Sequence, residues 1–200
     1  MLSVELAPGI VSFENVMDNP VQFILDLEGL VEINNLTWNL ARQSEGKDGS
    51  ASVIEKSARN CYAISLPNFD NLVDENHRRM APYAVHELLN NTLNPVFDVY
   101  KNLYNAPHWF NNEGWQILKY GQDNYFVNHY DDSKQYPRTM SMSFYLNEDY
   151  EGGEIEFSRF DLKIKPKANQ AIFFPSNYVY NHTVHPVTSG TRYAVVGWWE

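Results

Sequence analysis

Apolar residues recur at helical spacing twice in the first half of the chain and give way to short alternating runs in the second half. Val21, Ile24 and Leu25, with Leu27, share one face of a predicted helix that Asn19-Pro20 opens before Gly29. Val85, Leu88, Leu89, Leu93, Val96, Val99, Tyr100 and Leu103 keep the same period, which predicts helix from about Asp74 to Tyr104. Pro95 falls inside that stretch, so a break or bend is expected there. Residues 37–62 are polar, with Gly and Ser gathered in Ser44–Ser52, and read as a surface loop long enough to serve as a lid.

From Trp115 onward the pattern changes to short strands separated by turns. The candidates are Trp115–Tyr120, Tyr125–Asp131, Thr139–Leu146, Glu154–Phe157, Leu162–Lys165, Ala171–Phe174, His182–Pro186 and Arg192–Trp199. Turns such as Glu151-Gly152-Gly153 and Thr188-Ser189-Gly190 divide them. The expected class is α+β, with a double-stranded β-helix (jelly roll) core and buttressing N-terminal helices. One domain over residues 1–200 accounts for the length: residues 1–114 as mainly helical support and 115–200 as the core.

Composition narrows the partners. The formal charge of −10, with no basic stretch to offset it, argues against nucleic acid. Cys61 stands alone, which excludes an internal disulfide and fits a reducing compartment. No signal peptide is legible in the first twenty residues, and no apolar run is long enough to span a membrane. A soluble cytoplasmic protein is the expectation, and the oligomeric state stays open.

Candidate chemistry centres on His129-Tyr130-Asp131. Residues two apart on a strand face the same way, so an imidazole and a carboxylate would share one side of the sheet. A second His from a distant strand would complete a two-His, one-carboxylate face with open metal positions, as in non-haem Fe(II) oxygenases. His182 and His185 both qualify by residue type, but in an extended segment they face opposite ways.

The run from His182 to Arg192 carries Pro186, Val187 and Gly190 between its ends. It resembles the C-terminal signature of the 2-oxoglutarate- and Fe(II)-dependent dioxygenases, and more narrowly the prolyl 4-hydroxylase-like group. That spacing holds when counted from His182 and breaks from His185. Gln116–Tyr120, Tyr125 with His129 and Asp131, Tyr145-Leu146-Asn147, Gly152-Gly153-Glu154 with Phe157, and Ala171–Pro175 resemble further elements of the group in order. The resemblance covers roughly residues 115–199.

The resemblance implies Fe(II) on His129, Asp131 and His182, with 2-oxoglutarate and O2 as co-substrates and ascorbate as an accessory reductant. It implies that Arg192 binds the far carboxylate of 2-oxoglutarate, which a planar guanidinium suits. Ala194, Val196 and Trp198 share its face and suggest an inward position. Tyr120 stands where the family places a co-substrate tyrosine. Arg192 departs from the usual Lys, and Ile155 stands where some members carry Thr, so one hydroxyl contact to the co-substrate is either missing or supplied by Thr139, Ser141 or Ser143. Arg138 and Trp198 are the substrate-binding candidates, although a solvated loop and a core position explain them too. The implied function is hydroxylation of a C–H bond in a peptidyl proline or related substrate, peptide or small molecule, releasing succinate and CO2. The alternatives are a cupin-type metal enzyme without 2-oxoglutarate and a non-catalytic binding module. Trp38, Tyr62, Trp109 and Phe110 fit a peptide groove or core packing equally. His77, His86, His108 and His185 lack partners at metal spacing.

Overall fold

The computed structural model describes residues 2–33, 35–41, 55–67, 80–106 and 110–200. In chain order it begins with β1 (Leu2–Ala7), β2 (Ile10–Glu14), α1 (Pro20–Glu32), β3 (Asn39–Leu40), β4 (Arg59–Asn60), β5 (Tyr62–Pro67) and α2 (Ala81–Leu103). There follow β6 (Asn112–Tyr120), β7 (Tyr125–His129), β8 (Met140–Tyr145), β9 (Glu151–Gly152), β10 (Ile155–Phe157), β11 (Leu162–Ile164) and β12 (Gln170–Pro175). The last are β13 (His182–Val184), β14 (Val187–Ser189) and β15 (Arg192–Trp199).

Antiparallel pairing builds an eight-stranded sheet, β1-β2-β12-β8-β15-β6-β5-β3, and a five-stranded sheet, β11-β10-β13-β7-β4. Strands β9 and β14 form a small ribbon beside them. This is the expected jelly roll, a two-sheet α+β architecture. Residues 2–67 contribute β1 to β5 as well as α1, so the N-terminal part completes the sheets in addition to buttressing them.

The central strands β8 and β15 of the large sheet are buried on both faces, and strand alternation separates two cores. Along β15, Val195 and Trp199 face the helices, where they pack with Phe97 and Leu93 of α2 and Leu27 of α1. Ala194, Val196 and Trp198 face the roll's interior, as their shared parity with Arg192 predicts. Strand β8 behaves likewise: Met140, Met142 and Phe144 join the helix-facing core, and Tyr145 joins the interior.

Helix α1 starts as expected, with Asn19 Oδ1 accepting from the Gln22 N–H at 3.0 Å and Pro20 in the first turn. It runs through Gly29 to Glu32 because Leu30 and Val31 still pack on the core. Helix α2 passes Pro95 as one element, contrary to the expected break. Leu89, Leu93, Val96, Phe97 and Tyr100 lie on the large sheet, and that apolar burial offsets the hydrogen bond Pro95 cannot make. The predicted start near Asp74 lies outside the described residues.

The interval 37–62 also departs from expectation. It holds β3 and β4, whose pairings join Asn39 to Ala63 and Arg59 to Phe126. Two-residue strands show no periodicity, so the pattern missed them. Residues 42–54, within the 37–62 stretch whose role as a lid the sequence leaves open, lie outside the described residues. Strand β7 ends at His129 rather than Asp131, a difference with consequences for the site.

Gly197 on β15 lies against the Trp115 ring, and a Cβ there would sit 2.7 Å from Trp115 Cε3. Gly197→Ala should therefore destabilise the fold by about 1–3 kcal/mol through overpacking. Urea denaturation measures this, and an unchanged midpoint would show that the indole shifts freely.

Candidate metal centre

Strands β7 and β13 are neighbours, and their register sets His182 directly opposite His129. The two rings lie 4.2 Å apart, centroid to centroid. His129 Nδ1 is 2.8 Å from the Val127 carbonyl, and His182 Nδ1 is 3.1 Å from the Tyr180 carbonyl. A carbonyl only accepts, so each ring donates from Nδ1 and leaves the Nε2 lone pair for a metal.

Asp131 joins them by a different route from the one strand alternation suggests. It lies beyond the end of β7, where its N–H donates to the Ser176 carbonyl at 3.1 Å. Its Oδ2 accepts the Ser141 hydroxyl at 2.6 Å, and its Oδ1 lies 3.6 Å from His129 Nε2. One ligand atom from each of His129, Asp131 and His182 falls within 4.8 Å of the other two. The structure thus brings the expected triad together.

The electrostatics suit a cation. Burial, reinforced by His182, pushes the His129 imidazole down to about 3, so it is neutral at ordinary pH. Burial alone would raise the Asp131 carboxyl, but His182, His129 and the Ser141 hydroxyl outweigh it and hold the group below its ordinary value. Two histidines and one carboxylate on an open face are the donor set that suits a divalent first-row metal, iron included.

Deeper in the roll, a cavity of about 30 Å³ connects the triad to Arg192, past Tyr120, Ser143 and Ile155. Arg192 is 2% exposed. Its cross-strand partner is Tyr120, whose ring lies 4.7 Å from the guanidinium carbon, and the Tyr145 ring lies 5.0 Å away. Its Nε and Nη1, with the Tyr145 and Tyr150 hydroxyls, are buried without a hydrogen-bond partner among the described residues. Orphaned donors around a buried cation are costly unless an anion joins them. They fit the far carboxylate of a dicarboxylic co-substrate such as 2-oxoglutarate. Gly153 permits this crowding, since a Cβ there would meet Arg192 Cδ at 3.1 Å and Tyr150 Cε2 at 3.0 Å.

On its outer side the triad opens into a cleft of about 990 Å³ floored by Ser65 of β5 and Gln116 of β6. Arg138 and Trp198 both line it. Glu113 grips Arg138 in a fork, with Nε–Oε1 and Nη2–Oε2 distances of 2.8 Å. The guanidinium carbon lies 3.8 Å over the Trp198 ring, so Arg138 is held rather than solvated.

Several side chains fall elsewhere. Trp38 stacks toward Tyr193 and Phe110 toward Phe97, so both serve packing, while Trp109 lies outside the described residues. His185 turns to Glu156, 2.6 Å away, and His86 is buried on α2; His77 and His108 are not among the described residues. Ser141 serves Asp131 rather than the inner cavity, which Ser143 lines.

Arg59 is the main residue that pattern reading misses. It lines both the inner cavity and the outer cleft, sits 4.9 Å over Phe126 and donates to Gln116 Oε1 at 3.3 Å. Its two-residue strand carried no signal. Tyr145 sat within a recognised run, but only its closeness to Arg192 shows what its hydroxyl faces.

The buried His129 makes a prediction about pH. As pH falls from about 6.5 toward 3, the unfolded chain takes up a proton that the folded chain refuses here. The metal-free protein should then lose stability by about 1.4 kcal/mol per pH unit from this group. Denaturation midpoints across that window should fall less steeply in His129→Gln than in the wild type; equal slopes would refute the assignment.

Comparison with known proteins agrees with this geometry. The 2OG-Fe(II) oxygenase superfamily profile matches residues 115–200. A protein of Acanthamoeba polyphaga mimivirus, provisionally named a prolyl 4-hydroxylase, is 28% identical over 131 residues, covering 56% of this chain and 54% of its own length. Human prolyl 3-hydroxylase 2 is 42% identical over 66 residues, 30% of this chain but 9% of that protein. This chain therefore spans about half of the first relative and a small part of the second. The viral collagen prolyl hydroxylase of Paramecium Bursaria Chlorella virus-1, solved as a 2OG complex, shares the fold with a TM-score of 0.65 at 18% identity, covering 96% of this chain and 95% of that one. A Trichoplax adhaerens prolyl hydroxylase, solved with a hypoxia inducible factor peptide fragment, has a TM-score of 0.69 at 14% identity, covering 96% and 83%. Residues 115–200 are thus similar to the 2OG-Fe(II) oxygenase superfamily, and the fold is the one these prolyl hydroxylase structures share.

Proposed function

We propose that this protein is an Fe(II)- and 2-oxoglutarate-dependent hydroxylase acting on a peptidyl proline or a closely related residue. The observation that carries the reading is the pairing, inside one roll, of an open metal face with an orphaned carboxylate clamp. His129, Asp131 and His182 would hold the iron. Arg192 would bind the far carboxylate, with the Tyr145 hydroxyl beside it and Tyr120 between clamp and metal. Bound Fe(II) and 2-oxoglutarate supply the oxidative chemistry, with succinate and CO2 released. The protein's part is to fix the ligands, orient the co-substrate and keep water out of the inner cavity.

The outer cleft supports a peptide substrate. Its volume is at the upper end for a small-molecule site, and it opens at His129 and Asp131. Arg138, locked by Glu113 and stacked on Trp198, offers a fixed donor at the rim to a main-chain carbonyl. The unpaired buried Cys61 supports a reducing, cytoplasmic setting. Among the described residues no helix is long and apolar enough to cross a membrane.

Anaerobic titration with Fe(II) and 2-oxoglutarate, followed by the visible metal-to-ligand charge-transfer band, tests the reading. The wild type should develop the band, and His182→Ala should lose metal affinity by more than the roughly 10–100-fold cost of removing a supporting residue. Arg192→Ala should keep the metal and bind 2-oxoglutarate about ten- to a hundredfold more weakly, the worth of charged hydrogen bonds at about 1.5–3 kcal/mol. Bound Fe(II) without a band in the wild type would exclude the co-substrate.

Succinate release with proline-containing peptides tests the substrate. Arg138→Ala should raise the peptide KM at least about tenfold, the worth of roughly 1.4 kcal/mol, and leave 2-oxoglutarate binding unchanged. An unaltered peptide KM would remove Arg138 from the substrate site.

A further inference from the structure

Asp131 has two carboxylate oxygens, and a metal that took both would lose one of the open positions a facial triad keeps for its other ligands. The structure engages one oxygen elsewhere. Ser141 Oγ lies 2.6 Å from Asp131 Oδ2, and Ser176 Oγ lies 2.8 Å from Ser141 Oγ. A hydroxyl has a single proton, and an ionised carboxylate can only accept. Ser141 therefore donates to Asp131, and Ser176 must donate to Ser141. Both serines are 1% exposed, so no solvent competes, and each bond in such a chain polarises the next.

The chain has a rigid base. The Ser176 carbonyl accepts the N–H groups of Asp131 at 3.1 Å and Asp132 at 3.0 Å, and the Ser176 N–H donates to the Thr139 carbonyl at 2.9 Å. Ser176, just past β12, thus holds the Asp131 main chain directly and its carboxylate through Ser141. Its Oδ1, 3.6 Å from His129 Nε2, is the oxygen left facing the histidines.

We propose that Ser141 and Ser176 are positioning residues that confine Asp131 to a one-oxygen grip on the metal, which keeps the neighbouring position open to exchangeable ligands. The proposal rests on the reading of His129, Asp131 and His182 as a metal triad. With the relay intact, Oδ2 cannot turn to the metal without giving up a buried charge-assisted hydrogen bond. Without Ser141, nothing described holds it back.

The test loads the protein with Mn(II), a probe suited to carboxylate and water ligands, and counts exchangeable metal-bound waters from the broadening of its spin-resonance lines in ¹⁷O-enriched water. Ser141→Ala should bind Mn(II) with one coordinated water fewer than the wild type and should bind 2-oxoglutarate at least about tenfold more weakly. Ser141→Thr, which keeps the hydroxyl, should restore both. A wild-type water count in folded Ser141→Ala would overturn the proposal even if metal affinity fell, because a merely structural role alters affinity alone. If Ser141→Ala does not fold, Ser176→Ala decides: loss of a water supports the relay, and a wild-type count overturns it. Wild-type protein that binds Mn(II) no better than His182→Ala would instead sink the triad reading itself.

Discussion

Burying ions inside a β roll is the constraint around which this structure is organised. Arg192 and Asp131 are charged groups removed from water, each of which would be costly alone. The roll answers with different devices at its two ends. Asp131 is met by Ser141, by the Ser176 main chain and by two imidazoles. Arg192 is ringed by Tyr120, Tyr145 and Tyr150, whose π faces and hydroxyls soften the penalty without cancelling it. The inner end is therefore under-satisfied by construction, and a carboxylate ligand would complete it.

Register delivers these groups to their places. Strand β15 pairs with β6 and β8 together, so Arg192 comes to Tyr120 on one side and within a diagonal step of Tyr145 on the other. The β13–β7 pairing does the same for the two histidines. A one-residue slip in either ladder would turn the functional side chains away from the roll's interior, so fold and site share a single register requirement.

Much of this was legible in the chain before any coordinates. The alternating runs after Trp115 mark the core strands, and parity along Arg192–Trp198 correctly turns Arg192 inward. The His182-to-Arg192 spacing chooses His182 over His185, which turns to Glu156 instead. What was illegible has physical reasons. Tertiary burial carried α2 through Pro95 against local propensity. Strands β3 and β4 owe their existence to their partners and are too short to show a period. Asp131 reaches the site from outside its strand, held by Ser176 from a segment 45 positions later, a contact that no local pattern encodes. Arg59 is hidden for the same reason as β4.

Strand β8 has a consequence for how such a protein can change. Met142 and Phe144 join the helix-facing core, with Met142 also bordering the inner cavity, while Ser141 bonds Asp131, Ser143 lines the cavity and Tyr145 joins the interior cluster. The two sets interleave along six residues. Exchanges of similar volume at Phe144 can therefore retune robustness without touching the cavity. Inward exchanges of a single hydroxyl can redirect reactivity at little cost to the scaffold. A lineage carrying this strand can explore the two properties independently, one parity at a time.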